Sequence, residues 1–350
     1  MHPEATVTEE DLARFEVLTQ DLIPAAGPDR VAPPERAARS RRQVLGRRLA
    51  RAMLPPLLGI IVFLSLWAIA APHVRTSLGA LPGPREVATS GGDLYHEWAT
   101  ARHARADFSR QQEARNAALV AAGRTSEVRH FKYSGAPTFV DQVWTSLKTV
   151  GLGFTIATVV AVPVGLLSGL SKQFHAAINP LVQIMKPVSP LAWLPIVTMV
   201  VSATMTSSHP LLPKSFVISA IVVALCSLWP TLINTAVGTS SIDNDLLNVT
   251  RVLNLGWFTK LRKVVLPSAL PYIFTGMRLS LGVGWMVLIA AEMLSQNPGL
   301  GKFIWDEFQN GSSGSLARIM FAVVVIGSVG FLLDRLMMGV QHLANRNRVA

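Results

Sequence analysis

An all-α integral membrane protein with about six transmembrane helices is the fold class that this 350-residue sequence predicts. Half of its residues are hydrophobic and only 15% are charged, against roughly 25% in an ordinary soluble domain. Mean hydropathy is +0.38. Several apolar runs reach the length of about 20 residues that a helix needs to cross a hydrocarbon core about 30 Å thick. Strict alternation of apolar and polar residues is missing. In lipid only helices and closed barrels satisfy their own backbone, so helices remain. The same composition excludes a disordered chain, a protein that coats nucleic acid and a typical cytosolic enzyme. A single cysteine, Cys226, leaves no intramolecular disulfide and no cysteine-only metal cage.

Residues 1–51 form an N-terminal tail whose first 35 residues mix acids with Pro and Gly. Residues 36–51 then carry Arg36, Arg39, Arg41, Arg42, Arg47, Arg48 and Arg51 without an acid, which accounts for seven of the net +11 charges. A basic run abutting a span reads as a cytoplasmic anchor rather than a DNA-binding arm. The first span follows at 52–72. It starts too late, is too long and lacks the small-residue cleavage pattern of a signal peptide.

Residues 73–140 make a long outer segment. It opens on the turn-rich LPGPREV and continues through residues 97–123, rich in Ala, Arg, Gln and Glu, which predict an exposed helix. The core, residues 141–345, holds the other spans at 149–171, 187–208, 215–242, 279–291 and 319–333. The last two are bracketed by Arg278 and Glu292 and by Arg318 and Asp334. With the N-terminus inside, six spans return the C-terminus inside. The inner loops then collect Lys172, Arg251, Lys260, Arg262 and Lys263, and the tail Arg346 and Arg348, as the positive-inside rule requires. The chain is expected to be multi-pass with both termini on the cytoplasmic side.

The inner loop, residues 243–267, has an unusual pattern. Leu247, Val249, Val252, Leu253, Trp257, Phe258, Leu261 and Val265 predict two short amphipathic helices broken at Asn254-Leu255-Gly256. Asn and Gly both tolerate left-handed backbone. Pro267 is expected to end the second helix before the next span. An apolar stripe with basic flanks either seats in a partner's groove or lies on the lipid surface.

Charges within a span are functional candidates. Arg278 and Glu292 lie 14 residues apart, about 21 Å along one helix, and cannot pair within it. Arg278 either attracts an anion or snorkels to the inner surface. Glu292 would repel an anion, so a structural hydrogen bond to the outer loop is its expected role. Gly276, Ser280 and Gly284, like Gly165 and Gly169, recur every four residues, which lets helices approach closely, either within the chain or at a dimer seam. Pro187, Pro190 and Pro195 break the third span around Trp193. Such a break either lines a pathway or kinks a packed helix. Ser189, Pro190, Trp193, Ser227, Asn234 and Arg278 are the candidate path residues.

Other chemistry is weakly supported. Gly299-Leu300-Gly301-Lys302 lacks the Gly and the Ser or Thr that a phosphate loop needs at Gln296 and Phe303. Gly301 and Lys302 therefore read as a turn before a short outer helix. Asp306 and Glu307, adjacent on that helix, point two ways and make a poor acid–base pair. His96 and His103 share a helical face at a spacing of seven, not the three or four of metal ligands; no metal site and no catalytic residue is read.

The loop resembles the signature of permease subunits of binding-protein-dependent ABC importers: Glu-Ala-Ala, three residues, Gly, nine residues, Ile, one residue, Leu-Pro. Here Asn248-Val249-Thr250, Asn254, Val264 and Leu266-Pro267 occupy those places, with the Glu, both Ala and the Gly replaced. Around it, residues 266–294, 297–310 (NPGLGKFIWDEFQN), 186–197 (KPVSPLAWLPIV), 228–238 (LWPTLINTAVG) and 330–337 (GFLLDRLM) are similar to the nitrate, sulfonate and taurine branch. Nitrate-type permeases resemble it most, with bicarbonate and cyanate relatives near. The resemblance covers about residues 52–345, with an insert near 100–133 longer than in many relatives.

This resemblance implies a type I (MetI-like) permease fold and no catalysis by the chain itself. It implies two cytoplasmic ABC ATPase subunits, a second permease subunit forming a homodimer, and a periplasmic solute-binding protein. Apart from these the chain contacts the lipid bilayer and no nucleic acid. ATP and Mg would bind the partner ATPases, leaving this chain without a cofactor. Leu247, Asn248, Val249, Thr250, Val252, Leu253, Asn254, Leu255, Gly256, Trp257 and Phe258 would couple to the ATPase. The implied cargo is a small anion, nitrate favoured, with bicarbonate, cyanate or an organosulfonate as alternatives. A secondary transporter is the rival of another class, although no internal repeat is evident. An intramembrane enzyme would need a nucleophile–base pair or metal ligands within the spans.

Overall fold

The computed structural model describes residues 54–76, 79–206, 212–312 and 314–346. The arginine-bearing tail at 1–51 lies outside the described residues. Two compact units divide the chain between Leu66 and Trp67. The first contains the start of α1 (Leu54–His73), an apolar helix long enough to span a bilayer.

The second unit is helical apart from a two-stranded hairpin that pairs Arg75 with Ala80. Its helices are α2 (Pro84–Ala121), α3 (Phe139–Leu170), α4 (Lys172–Met185), α5 (Pro190–Thr204), α6 (Lys214–Ser240) and α7 (Asn244–Val252). There follow α8 (Trp257–Ser295), α9 (Leu300–Asn310) and α10 (Ser315–Arg346). Five helices among the described residues are long and apolar enough to cross a membrane, or six where the bent pair α4–α5 counts as one broken span.

Local chemistry sets the helix ends. LPGPREV is not a free turn but the start of α2. Pro84 takes the first helical position, where its missing N–H costs nothing, and the Glu86 carboxylate accepts the Gly83 N–H at 2.9 Å. Thr138 caps α3, and Asp141 in its first turn accepts the Thr138 N–H at 3.0 Å. The run expected to span at 187–208 is instead α5, 15 residues long and unbroken through Trp193 and Pro195, joined to the 14-residue α4 across a 102° bend. Each is about 21–22 Å long, short of the bilayer core on its own. Pro267 does not end a helix: α8 runs through it without a break. A π-turn over Leu261–Val265 immediately precedes it. That widened turn accommodates a ring that lacks an N–H and crowds the carbonyl four residues back.

α6 is the axis of the bundle, packed between α3 and α8. Both contacts use small residues. A Cβ on Gly165 or Gly169 of α3 would come 2.7 Å from the Leu232 carbonyl oxygen and 2.6 Å from that of Ala236. A Cβ on Gly276 of α8 would come 2.9 Å from the Thr231 Cα. These glycines are therefore taken up by close contacts within the chain. Beside Gly276, the Ser280 hydroxyl accepts the Thr231 N–H at 3.0 Å and donates to the Ser227 carbonyl. Those two groups belong to one i→i−4 step of α6, just beside Pro230. The main core gathers Val222 and Val223 of α6, Leu281 and Leu288 of α8, and Val150 of α3. The Trp285 indole N–H ties α8 to α10 by donating to the Ile326 carbonyl at 3.0 Å.

Gly276→Val is expected to cost about 1–3 kcal/mol of stability by overpacking, read as a lowered thermal unfolding midpoint in detergent. Gly282→Val on the same helix, where a Cβ meets nothing within 4 Å, is expected to stay within about 0.5 kcal/mol of the wild type.

Candidate functional site

The loop between α6 and α8 holds the predicted break. Asp243 caps α7 by accepting the Asp245 N–H at 3.0 Å. At the other end Asn254 adopts φ 47°, a left-handed backbone. The Asn254 N–H reaches the Arg251 carbonyl and the Leu255 N–H reaches the Thr250 carbonyl, both at 3.0 Å. These two bonds make a Schellman turn with asparagine at the position usually held by glycine. α8 then starts at Trp257 after Gly256.

The turn sorts the loop residues into two faces. Leu247 packs with Leu261 and Leu266 on a core of Leu166, Ile242, Val265, Ala269 and Ile273. Thr250 is buried and bonds back to the Leu247 carbonyl. Val249, Val252, Leu253, Trp257 and Phe258 point away from the bundle; Val252 is 84% exposed and Phe258 68%. Asn248 accepts a hydrogen bond from Arg251 at 3.1 Å. The cations Arg251, Arg262 and Lys263 are exposed around this apolar patch.

At the opposite end of α8 lies a polar latch. Glu292 is fully buried and accepts from Ser146 Oγ at 2.7 Å, from the Gly301 N–H at 3.1 Å and from Asn297 Nδ2 at 3.4 Å. The Ser146 hydroxyl in turn accepts the Leu300 N–H at 2.9 Å. Glu292 thus ties α8 to α3 and to the loop that follows, the structural role its place in the span suggests. The loop closes so tightly that a Cβ on Gly301 would sit 2.9 Å from the Glu292 Cβ. Gly301 and Lys302 were expected as a turn. They belong instead to the first turn of α9, and the turn falls at Gln296, with φ 57°.

Ion pairs join the remaining charges. Arg278 is paired bidentately with Asp334 of α10, at 2.5 and 3.0 Å. Neither of the two expected roles for Arg278 included this partner. Two acids and bases that each interrupt an apolar run are natural partners, and that was the available signal. Arg318 bridges Glu97 of α2 and Glu307 of α9. Arg105 of α2 grips Asp141 at 2.6 and 3.0 Å, and these hydrogen bonds hold its pKa above the ordinary arginine value. The long α2 is thereby fixed to the start of both α3 and α10. Asp306 pairs with Lys302 at 2.7 Å, so Asp306 and Glu307 face different partners.

The candidate path residues separate into two groups. Ser189 caps α5, Pro190 opens it, and Trp193 stands one turn on with its indole nitrogen buried and unpartnered. The break in the span lies just ahead of them, at 186–189. Ser227 is fully buried, its hydroxyl donated to the Val223 carbonyl at 2.7 Å. Asn234 donates to the Pro230 carbonyl at 2.8 Å and packs near Gly276 on the α8 side.

Residues 161–346, more than half of the chain, match the family described as binding-protein-dependent transport system inner membrane component. The chain belongs to this family of ABC-transporter permeases. The permease is 40% identical over 207 residues to the bicarbonate transport system permease protein CmpB of Synechococcus elongatus, covering 59% of this chain and 69% of that protein. It is 37% identical over 204 residues to the nitrate import permease protein NrtB of the same species, covering 58% and 69%. A chain of the inward-facing MetNI methionine ABC transporter shares the fold, with a TM-score of 0.50 at 17% identity over 59% of the permease and 95% of that chain. The permease is thus a multi-pass, all-α membrane protein of the type I importer fold.

Two substitutions test the geometry. Asn254→Val puts a β-branched residue into left-handed backbone and is expected to cost about 1–2 kcal/mol, whereas Asn254→Gly is tolerated. Glu292→Leu strands the donors of Ser146 and Gly301, at about 1–3 kcal/mol each, and is expected to lower the unfolding midpoint more than Glu292→Gln. Midpoints of both Glu292 variants equal to that of the wild type would show that the latch contributes nothing.

Proposed function

We propose that this permease imports a small oxyanion, nitrate or bicarbonate, powered by ATP hydrolysed on two separate cytoplasmic subunits. The observation that carries the reading is the apolar face of Val249, Val252, Leu253, Trp257 and Phe258 at the tip of the bundle. Large exposed apolar side chains gathered within one short segment mark a docking surface. Burying each large one fully contributes about 1.5–3 kcal/mol. The exposed cations around the patch favour an acidic rim on the partner. Similarity to bicarbonate and to nitrate permeases supports the two cargoes equally, and the binding protein would select between them.

The arginine run at 36–51 and the cations of the loop support a bacterial inner-membrane orientation with the loop and both termini on the cytoplasmic side. The segment 73–140 then lies in the periplasm, where α2, clamped by Arg105 and Arg318, offers a fixed platform to the solute-binding protein. A second copy of the chain completes the pathway, for which Ser189, Pro190 and Trp193 at the break are the candidates, with Asn234 on α6 and Arg278 on α8. ATP and Mg belong to the ATPase partners; this chain performs no chemistry of its own.

Leu253→Glu or Trp257→Glu is expected to reduce co-purification of the ATPase at least about tenfold, because a buried, unpaired charge costs several kcal/mol, while the permease still inserts. Undiminished co-purification would place the patch on the lipid surface. Proteoliposomes holding the whole complex are expected to take up labelled nitrate or bicarbonate only with ATP on the ATPase side. Gradient-driven uptake by the chain alone would favour a secondary transporter.

A further inference from the structure

A cavity of about 400 Å³ opens between α4 and the C-terminal half of α6, floored by apolar residues such as Leu232 and Ala236. One stripe of α4 lines it. Lys172, His175, Asn179, Gln183 and Lys186 follow each other at steps of three and four residues, which places them on a single helical face. The stripe is about 21 Å long. No Asp or Glu lines the cavity. Among the described residues neither Lys172 nor Lys186 has an ion pair. His175 is held by the Ser168 hydroxyl at 2.9 Å.

The depth of the stripe matters. α4 doubles back along α3: His175 meets Ser168, and seven residues on, Val182 clusters with Ala161, seven residues earlier in α3. Lys186 lies one turn further, where α4 ends and the chain turns by 102° into α5. Lys186 is exposed at the C-terminus of α4, where helix carbonyls favour a cation, and with no carboxylate paired to it its charge is available to an anion. A discontinuous helix is where transporters gather donors for a charged cargo.

We infer that this groove is an oxyanion track, in which Lys186 draws a small monovalent oxyanion to the break in the third span and the stripe of donors leads it to Lys172 at the cytoplasmic mouth. The donors suit transit rather than capture. They are spread along the groove, so no single point surrounds the anion. The inference deepens the anion-import reading and rests on it.

The test uses the complete complex of permease, ATPase and binding protein in vesicles of phosphatidylcholine, with labelled nitrate and bicarbonate as probes. Lys186→Gln is expected to raise the ATP hydrolysed per anion imported at least about tenfold, Lys186→Arg to restore most of the coupling, and Lys172→Gln to have a smaller effect. Normal import by Lys186→Gln overturns the track while leaving the import reading intact. Joint loss of import and hydrolysis in both Lys186 variants also overturns it, in favour of a structural lysine. The phosphate of a lipid headgroup shares the oxyanion's chemistry. If wild-type import requires added phosphatidylglycerol and the Lys186→Gln variant loses that requirement, the occupant is lipid and the track is refuted. A wild-type complex that carries neither anion defeats the import reading first, and the track falls with it.

Discussion

Ser280 reaches across from α8 and places its hydroxyl between an amide and a carbonyl of α6. The arrangement of the bundle depends on contacts of this type. In lipid, apolar side chains gain little by meeting each other rather than acyl chains, so helices associate where backbones can approach closely and polar groups can pair. α6 has such a face toward α3 at Gly165 and Gly169 and another toward α8 at Gly276 and Ser280. The seam fixes α8 against α6, and α8 carries the exposed loop patch at one end and the Glu292 latch at the other. The position of every candidate residue on α8 follows from it.

Much of this was legible from the residues alone. Apolar runs located the long spans, because their length is set by the bilayer, but the run at 187–208 became only the 15-residue α5. The break at Asn254 was visible because few residues tolerate a positive φ. The four-residue spacing of small residues marked the seams, though not their partner. What escaped was set by tertiary geometry. Pro267 is compatible with either a stop or a widened turn, and only the packing of Leu261 and Val265 beneath Leu247 and Ile242 decides for the turn. Arg278 and Asp334 are 56 residues apart, and Ser146 and Glu292 are 146 apart. No local pattern joins them. The segment 172–186 reads as a basic inner loop by charge, yet it folds back along α3, because Val182 and Ile178 have an apolar cluster to enter.

Two kinds of polar group in the bundle contrast. Glu292, Ser146, Thr231 and Ser280 are buried and hydrogen-bonded, and they stabilise because a stranded partner in a low dielectric is costly. Lys172, Asn179, Gln183 and Lys186 face an opening and are not committed to any neighbour among the described residues. The first kind holds the helices together. The second kind has hydrogen-bonding capacity left for something that passes.

Because α8 continues through Pro267, Trp257 and Ser295 are two ends of one rod of 39 residues, close to 58 Å from tip to tip. A rod transmits displacement with little loss. Whatever grips the tryptophan end acts on the glutamate end through the widened turn at Leu261–Val265 and the helix beyond it. The widened turn at Leu261–Val265 sits on the gripped side of the seam, so any compliance in the shaft lies ahead of the fulcrum at Gly276 and Ser280, and the far arm swings as a stiff body.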